Sequence, residues 1–305
     1  MWPRVGPEVN MRKRSAHLIL MYLLAAVICP SGWAGGQPAN QATREERPDP
    51  QQLVRDTIYN EMHDHEQHGY WQYRVQKKAK NESELLERVE TSEGPVQRLI
   101  AVNGEPLNSK RRQEEEDRLR VLLSDPGRQK QARQEYAEDE KRIGRTLQLL
   151  STAFVYQYEN ADGENYCLSF LPNPDFHPST IEARVFHAMQ GKIYINKRWK
   201  RLARLEGHVM ENIDFGYGLL GRLYQGGWFD MERVQVNQTD WKTRLLEVHV
   251  EGRAILFKTI AKNTHEERFG FQEVPEGITL SQAKHLLDEE YTVSRNDPKK
   301  LQMKK

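Results

Sequence analysis

The chain has 305 residues, with 45 Lys and Arg against 44 Asp and Glu, and two cysteines. A net charge of +1 provides no general electrostatic attraction to nucleic acid, and two cysteines cannot form a disulfide-dense scaffold or a four-thiolate zinc site. The length is sufficient for one large domain or two small ones with a sizeable core. The composition therefore predicts a globular protein that binds no nucleic acid.

The N-terminal segment has the three parts of a secretory signal peptide. The basic residues after Met11 precede an apolar run over residues 16–28, and a small residue, Ala34, lies shortly after it. The apolar run is shorter than the roughly 20 residues that a membrane-spanning helix needs. We therefore expect residues 1–34 to be a signal peptide, with residues 1–10 as an upstream extension, and a periplasmic mature protein.

Two other features depend on this cleavage. Acylation of Cys29, as in a lipoprotein, is the weaker alternative, because Ile28 occupies the preceding position where a small residue is expected. After cleavage the only thiol is Cys167, which lies in a strand-like run and is interpreted as a buried, inert side chain rather than a nucleophile. Residues 35–50, rich in Gly, Pro and Gln, are predicted to be a disordered leader.

A helix and three strands are predicted next in the chain. Leu53, Val54 and Ile58 recur at helical spacing and indicate an amphipathic helix from Gln51 to His65. The pattern then changes to period two, which is typical of strands, with turn signals at Gly94 and Gly104. The strands are predicted at Tyr70–Lys80, Leu85–Thr91 and Val96–Val102.

Residues 109–150 form a charged insert that differs from the segments on either side. It should consist of two helices separated at Asp125-Pro126-Gly127. Its charges are of mixed sign, which favours a solvated surface over a nucleic-acid site. One stripe of the second helix is apolar and could pack as a lid. The stripe contains Ala132, Tyr136, Ile143, Leu147 and Leu150, of which Tyr136, Ile143 and Leu147 are the lid candidates.

Strand signals return after the insert and continue nearly to the end. Connections of two to five residues, such as those expected at Gly252 and Asn263, permit antiparallel neighbours and exclude parallel crossovers. A closing helix at Leu280–Leu287 and a polar tail over residues 291–305 complete the prediction. The strands are predicted at Phe154–Tyr158, Tyr166–Leu171, Ala183–Gln190, Lys192–Asn196, Arg201–Ile213, Trp228–Val236, Arg244–Glu251, Arg253–Ala261 and His265–Val274.

The apparent chemical motifs do not support an enzyme. Gly216, Gly218 and Gly221 have the spacing of a dinucleotide-binding loop but lie between predicted antiparallel strands, where that chemistry lacks its parallel βαβ unit. The three histidines of residues 63–68 point in well-separated directions on a helix, and on a strand His68 faces away from the other two, so a solvated helix end is favoured over a metal site. No catalytic residue, metal or cofactor is predicted.

Three runs of sequence resemble a known family. The phrases Tyr166–Pro174, Gly191–Asn196 and Arg201–Gly207 are similar to strand-turn-strand segments of the outer-membrane lipoprotein-sorting group, with its LolA-like fold. The resemblance extends over residues 50–275 and implies a strongly curved sheet that forms an incomplete barrel, helices over its open side, and an apolar interior that receives acyl chains. It implies a lipid or a lipidated protein as partner. The charged insert is a departure from the compact carriers of this group.

The alternation of apolar residues is consistent with such a fold. We expect an α+β protein whose strongly curved antiparallel meander forms an incomplete barrel covered by helices, as a single domain over residues 51–290. Apolar residues that alternate on one face are candidates to line a ligand cavity, although they could equally fill a dry core. These candidates are Phe154, Tyr156, Tyr158, Tyr166, Leu168, Phe170, Ile193, Ile195, Ala203 and Leu205.

The sequence as a whole predicts an exported, non-enzymatic protein of the cell envelope that holds an apolar or lipidated ligand and is at most peripheral to the membrane. One alternative is a protein–protein interaction module of the envelope, which should have a filled core and an exposed patch. A hydrolase with dispersed His and Asp residues is less favoured and would need a water-accessible cluster of groups with perturbed pKa values.

Overall fold

The computed structural model describes residues 47–63, 69–79, 82–159, 163–215, 221–254 and 258–296. The predicted signal peptide, most of the leader and the end of the polar tail lie outside these residues. The part of the chain that is described has an α+β fold with five helices and thirteen strands. The helices are α1 (Pro50–Met62), α2 (Ser109–Ser124), α3 (Pro126–Leu150), α4 (Ile181–His187) and α5 (Leu280–Asn296).

All the strands belong to one antiparallel sheet, which is not closed into a barrel. Its order is β4-β3-β2-β1-β13-β12-β11-β8-β7-β6-β5, and the short strands β9 and β10 lie beside β12. The strands are β1 (Tyr70–Ala79), β2 (Glu82–Val89), β3 (Val96–Val102), β4 (Glu105–Pro106), β5 (Phe154–Tyr158), β6 (Asn165–Pro172), β7 (Met189–Asn196), β8 (Leu202–Val209), β9 (Ile213–Phe215), β10 (Gly221–Leu223), β11 (Trp228–Gln235), β12 (Trp241–Ala254) and β13 (Lys258–Val274).

The sheet consists of two meanders that meet at the first and last strands. Strands β1 to β4 pair in chain order, as do β5 to β8 and β11 to β13. The two series are joined by β1 and β13, with Tyr70 opposite Val274. The predicted antiparallel pairing is confirmed, but a single meander in chain order is wrong, because this central pairing links the two ends of the chain.

Local signals account for the helix boundaries. Asp49 caps α1 by accepting a hydrogen bond from the backbone N–H of Gln52 at 2.8 Å, and Pro50 occupies the first helical position, where its missing N–H is not needed. Asp125 ends α2 and caps α3 by accepting from the N–H groups of Gly127 and Arg128. The predicted break between the two helices of the insert is therefore confirmed.

One predicted strand is a helix instead. Residues 183–190 were expected to be extended, but Ile181–His187 is α4, and the strand begins only at Met189. Thr180 accepts from the N–H of Ala183 at 3.1 Å and acts as the helix cap. The closing helix is also longer than expected, because α5 continues to Asn296 and includes the first residues of the predicted tail.

Three predicted turns lie inside strands, and the first of them, Gly191, is within β7. Gly252 is in the middle of β12, where a Cβ would lie only 2.6 Å from the carbonyl oxygen of Arg222 in β10. Glycine is needed there for the close approach of two backbones, not for a turn. Asn263 lies within β13, opposite His249 of β12. The predicted chain reversals at Gly252 and Asn263 are wrong, because β12 and β13 form one long hairpin.

The two faces of the sheet bury different clusters. We call the face that carries Phe154, Ile193 and Leu246 the inner face, and the other the outer face. The largest apolar cluster lies on the inner face and includes buried residues of α1, α4 and the end of α3. On β1 to β3 a second cluster lies on the outer face, where Val89 and Val96 pack with residues of α2 and α5 such as Leu119 and Leu287.

Candidate functional site

Most of the predicted cavity residues come together on the inner face. Seven of them are at most 6% exposed and belong to the largest apolar cluster: Phe154, Tyr156, Leu168, Phe170, Ile193, Ile195 and Leu205. Tyr158 and Tyr166 are partly buried and pack against the same cluster. Nine of the ten candidates therefore share one surface of the sheet.

Ala203 is the exception. The register of β7 and β8 shifts here, with Ile195 opposite Leu202 and Tyr194 opposite Arg204, so Ala203 has no partner across the ladder. It is half-buried and lies outside the apolar cluster, whereas Leu202 is 1% exposed and belongs to it. Assigning Ala203 to the interior is wrong, because the bulge inverts the alternation that the sequence pattern assumed.

Aromatic rings fill the centre of this cluster. The ring centroids of Phe154 and Phe170 are 4.6 Å apart, and those of Phe154 and Phe186 are 5.7 Å apart. The hydroxyl of Tyr156 donates to the carbonyl oxygen of Leu150 at 2.5 Å, and burial raises its pKa. These side chains contact one another directly, so ligand access to them requires part of the cover to move.

Two clefts on the surface of the described residues lie away from the predicted cavity residues. One, of about 380 Å³, lies between α2, β3 and α5 and includes Arg98, Arg112 and Tyr291. The other, of about 580 Å³, lies between the β7–β8 and β11–β12 turns and includes Trp199 and Val236. Both are open to solvent and lie away from the inner-face cluster, so they do not supply the apolar cavity that the sequence predicted.

The lid candidates lie along α3 with decreasing burial from its end towards its middle. Among the described residues of this 25-residue helix, Leu150 alone is fully buried. Leu147 packs partly against the inner-face cluster, Ile143 is half-buried, and Tyr136 is 37% exposed. The C-terminal end of α3 is thus embedded in the core, whereas the middle of the helix is held only by surface contacts.

Tyr136 makes the best defined of these contacts. Its ring lies beside the β2–β3 turn, where a Cβ on Gly94 would be 3.2 Å from its Cγ. Burial of the phenol raises its pKa, and the carboxylates of Glu140 and Glu90 act in the same direction. One turn earlier, Arg133 forms an ion pair with Glu93. These contacts hold the middle of α3 against one end of the sheet.

Helix α1, in contrast, is anchored by a buried charge cluster. The carboxylate of Glu61 accepts from Arg201 Nε at 3.0 Å and from the backbone N–H of Leu202 at 2.8 Å, and it also pairs with Arg233. Burial on its own raises the pKa of Glu61, but the guanidinium groups of Arg233 and Arg201 hold it below its ordinary value. No local sequence pattern indicates this anchor, because its three charged residues are far apart in the chain.

A second charged group, the cationic cluster of Lys77, Arg88 and Arg268 around Glu266, lies on the inner face of β1, β2 and β13. Glu266 is 2% exposed and accepts from Arg268 Nε at 2.8 Å, while Lys77 Nζ is 3.7 Å from its other oxygen. Arg88 lies over the ring of Tyr73, and its Nε is buried with no hydrogen-bond partner among the described residues. This cluster was also missed, since it depends on the β1–β13 pairing.

The motifs weighed in the sequence lie partly outside the described residues. His63 ends α1 and stacks on Tyr59, but residues 64–68 are not described. Gly221 begins β10, whereas Gly216 and Gly218 are not described. Cys167 is 5% exposed, and burial raises the pKa of its thiol. None of the described helices is long and apolar enough to cross a membrane.

No family model, curated protein or solved structure matches the chain. The resemblance to the lipoprotein-sorting group therefore stays a prediction. The case for any function depends on the packing and the charges described above.

Proposed function

We propose that this protein is an exported, non-enzymatic binding protein of the cell envelope that holds an apolar or lipidated ligand against the inner face of its sheet. In this proposal the sheet acts as an incomplete barrel and the helices as its cover. The ligand would occupy the surface formed by the nine clustered candidates after part of that cover has moved.

The observation that carries the proposal is the uneven attachment of the two long helices beside the inner-face core. Helix α1 buries Leu53, Val54 and Ile58 and is tied down by the buried carboxylate of Glu61. Helix α3 is embedded only at Leu150 and its neighbours. A long helix with one firm end beside an apolar core can open locally at low cost, as binding elements generally do. Helix α3 is therefore the lid in this proposal.

One specific observation favours the rival function, an envelope interaction module. The buried residues of the inner-face cluster are at most 7% exposed and pack together, as expected for a core that holds nothing. Exposed apolar residues that could contact a partner are present on the outer face, where Val155 lies directly opposite Leu171. A carrier must open before it binds, whereas an interaction module has no need to open.

A crosslink that holds α3 closed distinguishes the two functions. Glu93 and Arg133 form an ion pair across the lid and are both partly exposed, so cysteines at these positions can be bridged with a short bismaleimide. We expect the doubly substituted, unbridged protein to take up a fluorescent fatty acid in competition with long-chain lipids, and the bridged protein to lose at least ten-fold in affinity. The single variant Arg133→Cys, treated with the same reagent, is the control and should bind normally.

Two outcomes would contradict the proposal. If the bridged protein binds the fatty acid as well as the unbridged protein, α3 is not the lid. If no form of the protein binds acyl chains at micromolar concentrations, the carrier function is wrong and the interaction module replaces it.

A further inference from the structure

The cationic cluster and the apolar core lie on one continuous row of the inner face. The row follows the register of the sheet, in which each residue lies directly opposite the next. From one end to the other it contains Ile193, Leu205, Met231, Leu246, Glu266 and Lys77. With strands about 4.8 Å apart, the row extends over about 24 Å.

The chemistry of the row changes abruptly at one strand. Ile193, Leu205 and Leu246 are at most 5% exposed and belong to the apolar cluster. The next residue beyond Leu246 is Glu266, which is surrounded by positively charged side chains. The inner face is thus apolar over four strands and cationic over the next two, which is the polarity of an amphiphile.

Positive charge exceeds negative charge in the cationic cluster. Burial lowers the pKa of Lys77, and this shift is opposed by Glu266 and by Glu84, which lies directly opposite Lys77 on β2. Arg88, Arg268 and Lys77 together hold the pKa of Glu266 at about 2, so it is fully ionised. Three cations thus face one buried carboxylate, Glu266, and the half-buried carboxylate of Glu84. An uncompensated buried cation is costly unless an anion joins it.

Two of the cations have capacity for a further partner. The Nζ of Lys77 is 3.7 Å from Glu266, which is an ion pair but not a hydrogen bond, and its side chain is 34% exposed. The buried Nε of Arg88 has no acceptor among the described residues. Both groups are donors from which a carboxylate or phosphate accepts.

We infer that the Lys77–Arg88 end of the cationic cluster binds the anionic head group of an amphiphile whose acyl chain lies along the apolar part of the row. This inference rests on the proposed function and narrows its ligand to lipids with a carboxylate or phosphate head group. The head group remains near the half-exposed Lys77, while the chain extends towards Ile193.

The test compares three ligands with the same 18-carbon chain and different heads, using the full chain and intrinsic tryptophan fluorescence. Oleate carries a carboxylate, oleoyl-lysophosphatidylglycerol a phosphate, and monoolein no charge. We expect both anionic ligands to bind at least ten-fold more tightly than monoolein, because they neutralise the cluster. The stronger of the two identifies the head group as carboxylate or phosphate.

Variants assign the effect to the cluster. Lys77→Gln and Arg88→Gln should each weaken oleate binding at least five-fold and leave monoolein binding unchanged. Lys78→Gln is the matched control, since Lys78 is the next residue of the same strand, exposed, and on the outer face. It should bind all three ligands as the wild type does. Because Lys77 is half-exposed, Lys77→Gln should disturb folding less than Arg88→Gln does. The comparison of the three ligands uses the wild-type protein, so it does not depend on whether either variant folds.

The failures of this inference and of the proposed function are distinct. Equal binding of monoolein and oleate by the wild type, or equal effects of Lys77→Gln and Lys78→Gln, would overturn the head-group site and leave an apolar carrier. Absence of binding for all three ligands would overturn the proposed function and the head-group site together.

Discussion

The two ends of the sheet are stabilised in different ways. At the β5–β8 end, burial alternates along the strands: Phe154 and Tyr156 are buried on the inner face, while Val155 and Gln157 are exposed on the other. At the β1–β3 end, both faces are covered, and three successive residues of β1, Trp71 to Tyr73, are all buried. The first end has one apolar core and a solvated face, whereas the second has an apolar cluster on one face and mixed aromatic and charged groups on the other.

This difference explains where charges are buried. A strand covered on both faces has no solvated side for its polar residues, so Arg88, Glu87 and Glu266 must find partners inside. The β5–β8 end can direct its polar residues outward, and its buried ions are confined to the α1 anchor. The comparison predicts that ionic substitutions are most damaging where two faces are covered or a helix is anchored, and least damaging on the solvated outer face.

The largest effect is expected at the α1 anchor. Glu61→Gln removes the buried carboxylate that Arg201 and Arg233 share and should lower the free energy of unfolding by about 3–5 kcal/mol. Urea denaturation monitored by circular dichroism measures this change. Asp56→Asn on the same helix removes only an exposed pair with Lys200 and should cost under about 1 kcal/mol. Equal losses for the two variants would mean that the buried ion pairs of Glu61 stabilise the protein no more than the exposed pair of Asp56 does.

The same anchor has a defined pH dependence. The folded pKa of Glu61 is below that of the unfolded chain, so its stabilising contribution is complete above the ordinary carboxyl pKa and is lost as pH falls through the folded value. The stability difference between wild type and Glu61→Gln should therefore be constant at neutral pH and decrease under acid conditions. A difference that instead grows as the pH falls would contradict this assignment.

The next effect concerns the outer-face cluster of the β1–β3 end. Leu287 of α5 is 0% exposed, so Leu287→Ala should cost about 2–4 kcal/mol through loss of apolar burial and a residual cavity. Leu286→Ala on the same helix removes a partly buried side chain and should cost about half as much. If α5 were merely attached to the surface, Leu287→Ala would change the free energy of unfolding no more than Leu286→Ala does.

A smaller effect is expected on the lid. Tyr136→Asp places a carboxylate near Glu90 and Glu140 and removes the ring from Gly94, which should cost about 1–2 kcal/mol. Tyr136→Phe keeps the ring and should be nearly neutral. Thermal denaturation of the two variants separates the contribution of the ring from that of the hydroxyl, and identical melting curves would show that this part of α3 does not pack on the sheet.

The smallest effect is expected on the solvated face. Val155 is 41% exposed opposite Leu171, and Val155→Thr keeps the β-branched shape, so the change in stability should be within about 0.5 kcal/mol. A loss above 1 kcal/mol would mean that this face is covered in solution, as the interaction-module function requires.

The same contrast decided how far the sequence could predict the fold. At the β5–β8 end, one solvated face produces a clear period of two, and Phe154–Tyr158 was predicted with its observed bounds. The helix break at Asp125-Pro126 was also predicted, because capping is a local property. The helix at Ile181–His187 was missed, although Thr180 as a cap and Glu182 in the first turn were available as signals.

The charged sites could not be predicted, because they form only through pairings between distant strands. Lys77 meets Glu266 across the β1–β13 ladder, and Glu61 meets Arg233 across more than half of the chain. No local pattern marks these residues as partners. The apolar candidates were found more reliably, since burial follows the alternation of a single strand, and they failed only at Ala203, where a bulge changed the phase.

The pairing of β1 with β13 also determines when the protein can fold. Tyr70 and Val274 are about 200 residues apart, so the central ladder closes a very long loop and forms late. Until the last strand arrives, β1 and β12 each present an open edge of unsatisfied backbone groups, which is the part of a sheet most prone to pair with another molecule. The growing chain thus has two incomplete meanders until β13 has been made, and Lys258–Val274 completes the sheet by joining them.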